Sequence, residues 1–328
     1  MRKGQSMSLP TTSRRSFLKT LASVLATPLV INREGWTRSE ERKPIRLGLI
    51  ADLHHGLEPS AMERLERFLE AVDERKPDGI LQMGDFNYGD RASDECSKLW
   101  SQFSGPRFHV LGNHDMDKQT KSGIVERWEM PDRYYSFDKG AWHFIVLDRN
   151  NLSTESGYVP YSKANFYVES KLRGHADPGQ LEWLEADLEA TDRPTAVFVH
   201  QGLGMQDEPY PPGDARAPIE KVLESSRTKE GTPKVVACFC GHHHIDRYNL
   251  KNGIHYVWIN SASYYWVGGA YGRMAPYEDS LFAFATFAND GKIEIEGRRT
   301  DWSEPSPKER GYPNADELTT WISDRKLG

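Results

Sequence analysis

Three cysteines in 328 residues are too few for a disulfide framework, and Cys238 and Cys240 stand two apart in an apolar run where a bridge between them would strain a strand. All three are read as free thiols, so the fold must hold by burial. Positive charge is not in excess either: 42 lysines and arginines face 48 aspartates and glutamates, a formal net charge of −6. Without a basic footprint, nucleic acid is not an expected partner. No internal repeat marks a solenoid or propeller. With 38% hydrophobic residues and 27 glycines, what remains is the composition of an ordinary globular chain.

The first residues differ in kind. Ser13-Arg14-Arg15-Ser16-Phe17-Leu18-Lys19 precedes a modest apolar stretch from Thr20 to Ile31, which falls short of the roughly 20 residues that span a bilayer. This order resembles a twin-arginine export signal, which implies the twin-arginine export machinery as a partner and the bacterial periplasm or cell envelope as destination. The expected layout is an export signal over 1–31, a polar linker over 32–43, one folded domain over 44–300 and a C-terminal tail over 301–328.

Ile45–Ala51, Gly79–Met83 and Arg107–Leu111 read as short buried strands. Between them lie a helix opened by Pro59, with Met62, Leu65, Phe68, Leu69 and Val72 on one face, and a helical stretch around Trp100. Strands linked by helices predict a largely parallel sheet whose carboxyl edge carries ligand loops. The pair Tyr134–Phe137 and Trp142–Leu147 predicts a hairpin that begins a second, mixed sheet. Asn150–Asp177 is long, polar and sprinkled with tyrosines, and is expected to cap the substrate side.

Five short motifs follow predicted strands: Asp52-Leu53-His54, Gly84-Asp85, Gly112-Asn113-His114-Asp115, His200 and Gly241-His242-His243-His244. Singly each is weak, since Gly-Asp after a strand is more often a turn. Together they bring two carboxylates, an amide oxygen and four imidazoles to one sheet edge, a donor set suited to metals of borderline softness.

In this order the motifs resemble the calcineurin-like metallophosphoesterases. The resemblance implies an α/β fold, a β-sandwich of two mixed sheets flanked by helices in four αββα layers. It also implies two divalent or trivalent metal ions, manganese, iron or zinc. Asp52, His54 and His244 would hold the first and Asn113, His200 and His242 the second, with Asp85 bridging. The implied reaction is in-line hydrolysis of a small phosphate ester, mono- or diester, by a hydroxide activated between the metals. His114 would serve the leaving oxygen, with Asp115 holding its tautomer. The rival reading is a non-catalytic scaffold on the same fold.

Three nearby side chains are read as bystanders. His243 alternates away from its ligand neighbours, and His55 occupies no motif position. Tyr88 stands three residues after Asp85, the spacing of a tyrosine ligand in purple acid phosphatases. Because Asp52 and His54 already fill the first site, Tyr88 is read as a pocket aromatic. Tyr264-Tyr265-Trp266 are candidates either to stack on a substrate ring or simply to pack.

Overall fold

The computed structural model describes residues 43–205, 210–211 and 213–328; the twin-arginine-like segment lies outside them. The chain opens with β1 (Ile45–Ile50), α1 (Ala61–Arg75), β2 (Gly79–Gln82), α2 (Asp94–Trp100), β3 (Arg107–His109) and α3 (Lys121–Arg127). A hairpin of β4 (Tyr135–Lys139) and β5 (Trp142–Val146) leads into a smaller one, β6 (Asn151–Thr154) and β7 (Gly157–Pro160). Next come α4 (Pro178–Ala190), β8 (Thr195–Val199), α5 (Ala217–Ser225), β9 (Val235–Cys240), β10 (Arg247–Lys251) and β11 (Ile254–Trp258). The chain closes with β12 (Tyr264–Gly268), β13 (Arg273–Pro276), β14 (Ala283–Phe287), β15 (Ile293–Glu296) and β16 (Arg325–Leu327).

Two six-stranded sheets result, ordered β16-β15-β14-β1-β2-β3 and β10-β11-β9-β8-β5-β4. In the first, β1, β2 and β3 are parallel; in the second, β5, β8, β9 and β11 are parallel. Antiparallel strands complete both, so both sheets are mixed.

Side-chain alternation along the second sheet builds the layers. Phe144, Phe198 and Phe239 join Leu47, Leu49 and Phe287 of the first sheet in one core. Their neighbours Ile145, Val197, Val199, Cys238 and Cys240 face the other way, onto Leu184 and Leu188 of α4 and Ile219 and Leu223 of α5. Phe287 crosses between the sheets, with ring centroids 5.2 Å from Trp142 and 5.0 Å from Phe144. On the far side of the first sheet Gly48 leaves room for Phe68 of α1, whose ring stacks on Trp100 of α2 at 6.1 Å. The architecture is the four-layered αββα sandwich. All three cysteines are free and buried.

The segment 301–328 packs on the domain: β16 extends the first sheet by pairing with β15, Trp302 lies tilted against Tyr277 with ring centroids 5.0 Å apart, and Arg325 binds Asp246 at 2.8 Å. The expected cap over 150–177 contains the β6–β7 hairpin, and Lys163 and Ala164 hydrogen-bond to Gln119 and Met116 just beyond His114.

One ion triad, with His143 and Asp187 buried and Asp138 at the surface, ties α4 to the β4–β5 hairpin. His143 of β5 lies 2.8 Å from Asp138 and 2.9 Å from Asp187 of α4, which also accepts from Ser136. Burial lowers the His143 imidazole, but the two carboxylates outweigh it and push it up from 6.5 to about 9. A folded pKa above the unfolded one means that this stabilisation is complete below pH 6.5 and is lost as pH rises through 9. The linkage amounts to about 3 kcal/mol at most. Between these pH values the melting temperature should fall roughly 6–10 °C further in the wild type than in His143→Gln. An equal decline in the two proteins would falsify the assignment.

Candidate active site

All the motif residues lie just beyond the carboxyl ends of β1, β2, β3, β8 and β9, where parallel strands from both sheets finish side by side. The chain must turn sharply there, and it does so through left-handed backbone at Asp52 (φ 52°), His54 (φ 52°), Asp85 (φ 51°), His242 (φ 69°) and His244 (φ 52°). Non-glycine residues rarely adopt this region, and the strain persists only where surrounding bonds over-determine it. Those bonds are present. The amides of Asp52 and His54 donate to the carbonyls of Gly84 and Asp85, and Ser261 and Ser263 hydroxyls donate to the carbonyls of Asp52 and Leu53.

Gly112 and Gly84 are required by closeness rather than by turning alone. A Cβ on Gly112 would stand 2.0 Å from the Asp85 amide nitrogen, and one on Gly84 2.5 Å from His200 Nδ1.

Two clusters form. Asp52, His54 and His244 bring one donor atom each within 4.8 Å of the others, and so do Asp85, His200 and His242. His54 Nε2 and His244 Nε2 are 3.1 Å apart, and His242 Nδ1 and His200 Nε2 are 3.2 Å apart. Asp85 Oδ2 faces both clusters, 3.2 Å from His200 Nε2 and 3.8 Å from His54 Nε2. Asn113 joins them with a buried Oδ1 that has no hydrogen-bond partner among the described residues.

Carbonyl oxygens decide which nitrogens are free. His200 Nδ1 donates to Met83 O at 2.9 Å and His244 Nδ1 to Tyr264 O at 2.5 Å, leaving each Nε2 lone pair directed at its cluster. Burial pulls the His54 imidazole down to about 3 and His242 well below its ordinary value, which favours the neutral, ligating form. For His200 the burial that lowers it is outweighed by the charge of Asp85, which pushes it up to about 10. A point where a proton is held so firmly is one where a cation is favoured. Imidazole nitrogens about 3 Å apart, with bare oxygens beside them, match the edge of a coordination shell whose metal–nitrogen bonds are about 2.0–2.1 Å. The donor set therefore fits two metal ions.

One expected contact is absent. Asp115 does not touch the His114 ring; its carboxylate accepts from the amides of Asp85 (3.1 Å), Phe86 (2.8 Å), Asn87 (3.2 Å) and Gly112 (2.7 Å). The 3-10 turn over His114–Met116 swings Asp115 inward beneath the β2 and β3 loops and brings Asp117 under the imidazole instead. His114 Nδ1 lies 2.8 Å from Asp117 Oδ2, and its amide donates to Asp85 Oδ1 at 2.7 Å. Burial lowers His114, but Asp85 and Asp117 outweigh that and hold it above its ordinary value. Asp117 is what the sequence reading missed. Its spacing from His114, one 3-10 turn on, was the available signal.

Aromatic walls surround the site. Tyr264 is fully buried with its ring 5.0 Å from His244, and Trp266 sits 6.0 Å from both His54 and His244. Tyr167, 64% exposed, reaches His114 from the 150–177 segment, its hydroxyl 3.5 Å from Nδ1. Tyr88 packs against Gly56 and lies under Lys118, whose Nζ is 4.5 Å from the ring centre.

Comparison with known proteins agrees with this geometry. Residues 45–246 match the calcineurin-like phosphoesterase family. The chain is 25% identical over 249 residues to a 3′,5′-cyclic-nucleotide phosphodiesterase of Nostoc sp., covering 68% of this chain and 80% of that protein. It is 26% identical over 241 residues to a manganese-dependent ADP-ribose/CDP-alcohol diphosphatase of Oryza sativa, covering 60% and 74%. A dimetal phosphatase from Danio rerio shares the fold with a TM-score of 0.60 at 16% identity, over 87% of this chain and 99% of that one. GAP50, the anchor in the inner membrane complex of Plasmodium, shares it at 0.54 and 14% identity, over 88% and 89%. With the motifs assembled where the carboxyl ends of both sheets meet and most of the domain matched, the chain belongs to the calcineurin-like phosphoesterase family and is a metal-dependent hydrolase of phosphate esters.

Proposed function

We propose that Asp52, His54 and His244 hold one metal ion, that Asn113, His200 and His242 hold a second, and that Asp85 spans the two. The observation that carries this reading is the convergence of free nitrogen and oxygen lone pairs at two adjacent points that share one carboxylate. Metal ions held by these residues would supply Lewis acidity, which lowers the pKa of a bound water and offsets the charge that grows on phosphoryl oxygens. Manganese, iron and zinc all suit the donors.

The chain's own residues then divide the work. The Asp85 carboxylate, fixed by the His114 amide, sets the spacing of the two clusters. His114 stands over the site with Asp117 on Nδ1, so that Nε2 remains for the phosphate or the leaving oxygen. Tyr264 and Trp266 form an apolar side that keeps bulk water from the histidines. The substrate class is a small phosphodiester or diphosphate, the chemistry named for the Nostoc and rice relatives. Residues 1–31 are proposed to direct export of the folded protein to the periplasm or cell envelope, on the strength of Arg14-Arg15 and the apolar stretch behind them.

Manganese-loaded protein should hydrolyse bis-p-nitrophenyl phosphate, lose the activity to a chelator and regain it on reloading. Asp85→Asn should bind less metal and turn over at least about a hundredfold more slowly; full metal content with full activity in this variant would sink the bridging role. His114→Ala should lower kcat by about 10²–10⁴ with metal content retained. Asp117→Asn should lower kcat less, while Asp115→Ala, which orphans four buried amides, should instead lose several kcal/mol of stability in denaturant melts. A kcat loss without a stability loss in Asp115→Ala would return the orienting role to that residue. Replacing Arg14 and Arg15 with lysine should leave folded precursor in the cytoplasm by fractionation, and unchanged export would remove the signal reading.

A further inference from the structure

A cavity of about 560 Å³ opens beside Asn113 and His242 and is lined by residues of the 149–174 segment and by Gln201, Gly202, Met205, Pro211 and the 213–216 turn. Among the described residues its charged lining is strongly one-sided: Arg149, Lys171, Arg173 and Arg216 against one carboxylate, Asp214. Arg216 already occupies that carboxylate with two hydrogen bonds, of 2.9 and 2.6 Å, and Lys171 pairs with Glu169 at 2.8 Å. Among the described residues, Arg149 and Arg173 meet no carboxylate.

Arg149 is the telling case because it is only 4% exposed. Its Nε donates to Gly174 O at 2.9 Å, and its Nη1 to Gln201 O at 3.1 Å and Gly202 O at 2.9 Å. Nη2 has no protein acceptor among the described residues, and the side chain lines the cavity. Carbonyl dipoles solvate a guanidinium but do not neutralise it. Burial and the repulsion of Arg216 pull this one below the usual arginine range. A buried cation without a counter-charge is costly, and proteins keep one where a ligand anion completes it.

The position of Arg149 is also tightly set relative to the metal cluster. Just past the end of β5, its neighbour Asn150 donates to Leu111 O at 2.7 Å and accepts from Gln201 Nε2 at 2.5 Å. The loop is thereby fastened to the strand end that carries Asn113 and to the residue after His200. An arginine so held presents a planar fork suited to phosphate oxygens.

We propose that Arg149, with Arg173, forms a second anion subsite that receives the phosphate adjoining the one under attack, so that the preferred substrates are organic diphosphates. This rests on the dimetal reading above. Water adds its oxygen to the phosphorus on the metal side, the bridging P–O bond breaks, and two phosphomonoesters leave, with the protons of water ending on the products or in solvent. Arg149 holds the leaving phosphate and offsets the charge it gains.

The test compares kcat/KM on ADP-ribose with that on bis-p-nitrophenyl phosphate for wild type, Arg149→Met and Arg149→Lys, each shown folded by thermal melt. The ratio should fall at least about tenfold in Arg149→Met, through a higher KM for ADP-ribose, and recover in part in Arg149→Lys. A guanidinium that only clamps backbone carbonyls would depress both substrates alike, and an unchanged ratio overturns the subsite. Wild type that cleaves the diester but not ADP-ribose overturns the substrate class. Calorimetric titration of pyrophosphate into chelator-treated wild type and Arg149→Met gives a readout free of catalysis. Wild type should bind about tenfold more tightly, and equal affinity overturns the subsite. If wild type cleaves neither ester yet binds pyrophosphate through Arg149, the dimetal reading fails and the anion subsite stands.

Discussion

The Asp85 carboxylate is the joint on which the site turns. One oxygen accepts the His114 amide, and the other faces His200 and His54, so a single side chain after β2 touches elements from both sheets. Its amide is in turn held by Asp115, whose carboxylate gathers four backbone donors from the β2 and β3 loops. Move Asp85 and both clusters lose their common oxygen. Move Asp115 and Asp85 loses its place. This makes the buried ring of donors around Asp115 a structural requirement of chemistry that it does not itself perform.

The same logic accounts for the strained backbone. Five of the residues in the clusters hold positive φ, each an unfavourable conformation by about 1–3 kcal/mol. Nothing about ending a strand demands this, since glycine follows or precedes several of these positions and could absorb the turn. What demands it is direction: a left-handed residue at a strand end throws its side chain sideways across the sheet edge, toward the neighbouring strand's loop. Donors from five loops converge because several make that turn, and the serines at 261 and 263 and the carbonyl of Gly84 fasten the loops that do.

Much of this was legible in the sequence because it is local. Short apolar runs with a motif at their carboxyl end disclose both a strand and what it carries, so the strands and the candidate donors could be named from residues a few positions apart, while the αββα layers came from the resemblance that the motif order carries. The elements that escaped lack such contrast. β6 and β7 lie in a polar stretch with β7 exposed throughout, and β16 is three residues whose strand character depends on finding the free edge of β15. Assigning Asp115 to hold the His114 tautomer failed for a related reason. Which of two nearby carboxylates turns inward is settled by the 3-10 turn and by amides contributed from residues 85–87, well removed in sequence. Arg149 was invisible because its significance lies in being buried among carbonyls with no carboxylate beside it among the described residues, and only packing discloses that.

Fold alone cannot choose between an enzyme and a binding scaffold, for the sandwich is shared with both a dimetal phosphatase and a membrane-complex anchor. The choice lies in what the molecule maintains at a loss. A scaffold needs its outer surface; it gains nothing from strained histidines packed nitrogen to nitrogen, or from a buried Asn113 amide oxygen and a buried guanidinium that, among the described residues, meet no hydrogen-bond partner and no carboxylate respectively. Each of these destabilises the protein by itself, and the first two are relieved by cations and the third by an anion. The donor clusters and the arginine cavity adjoin through Asn113 and His242, so the two deficits are placed side by side, as the proposed diphosphate substrate requires. That complementarity of opposite deficits across a shared wall is the physical argument for a phosphoester hydrolase with an anionic leaving group.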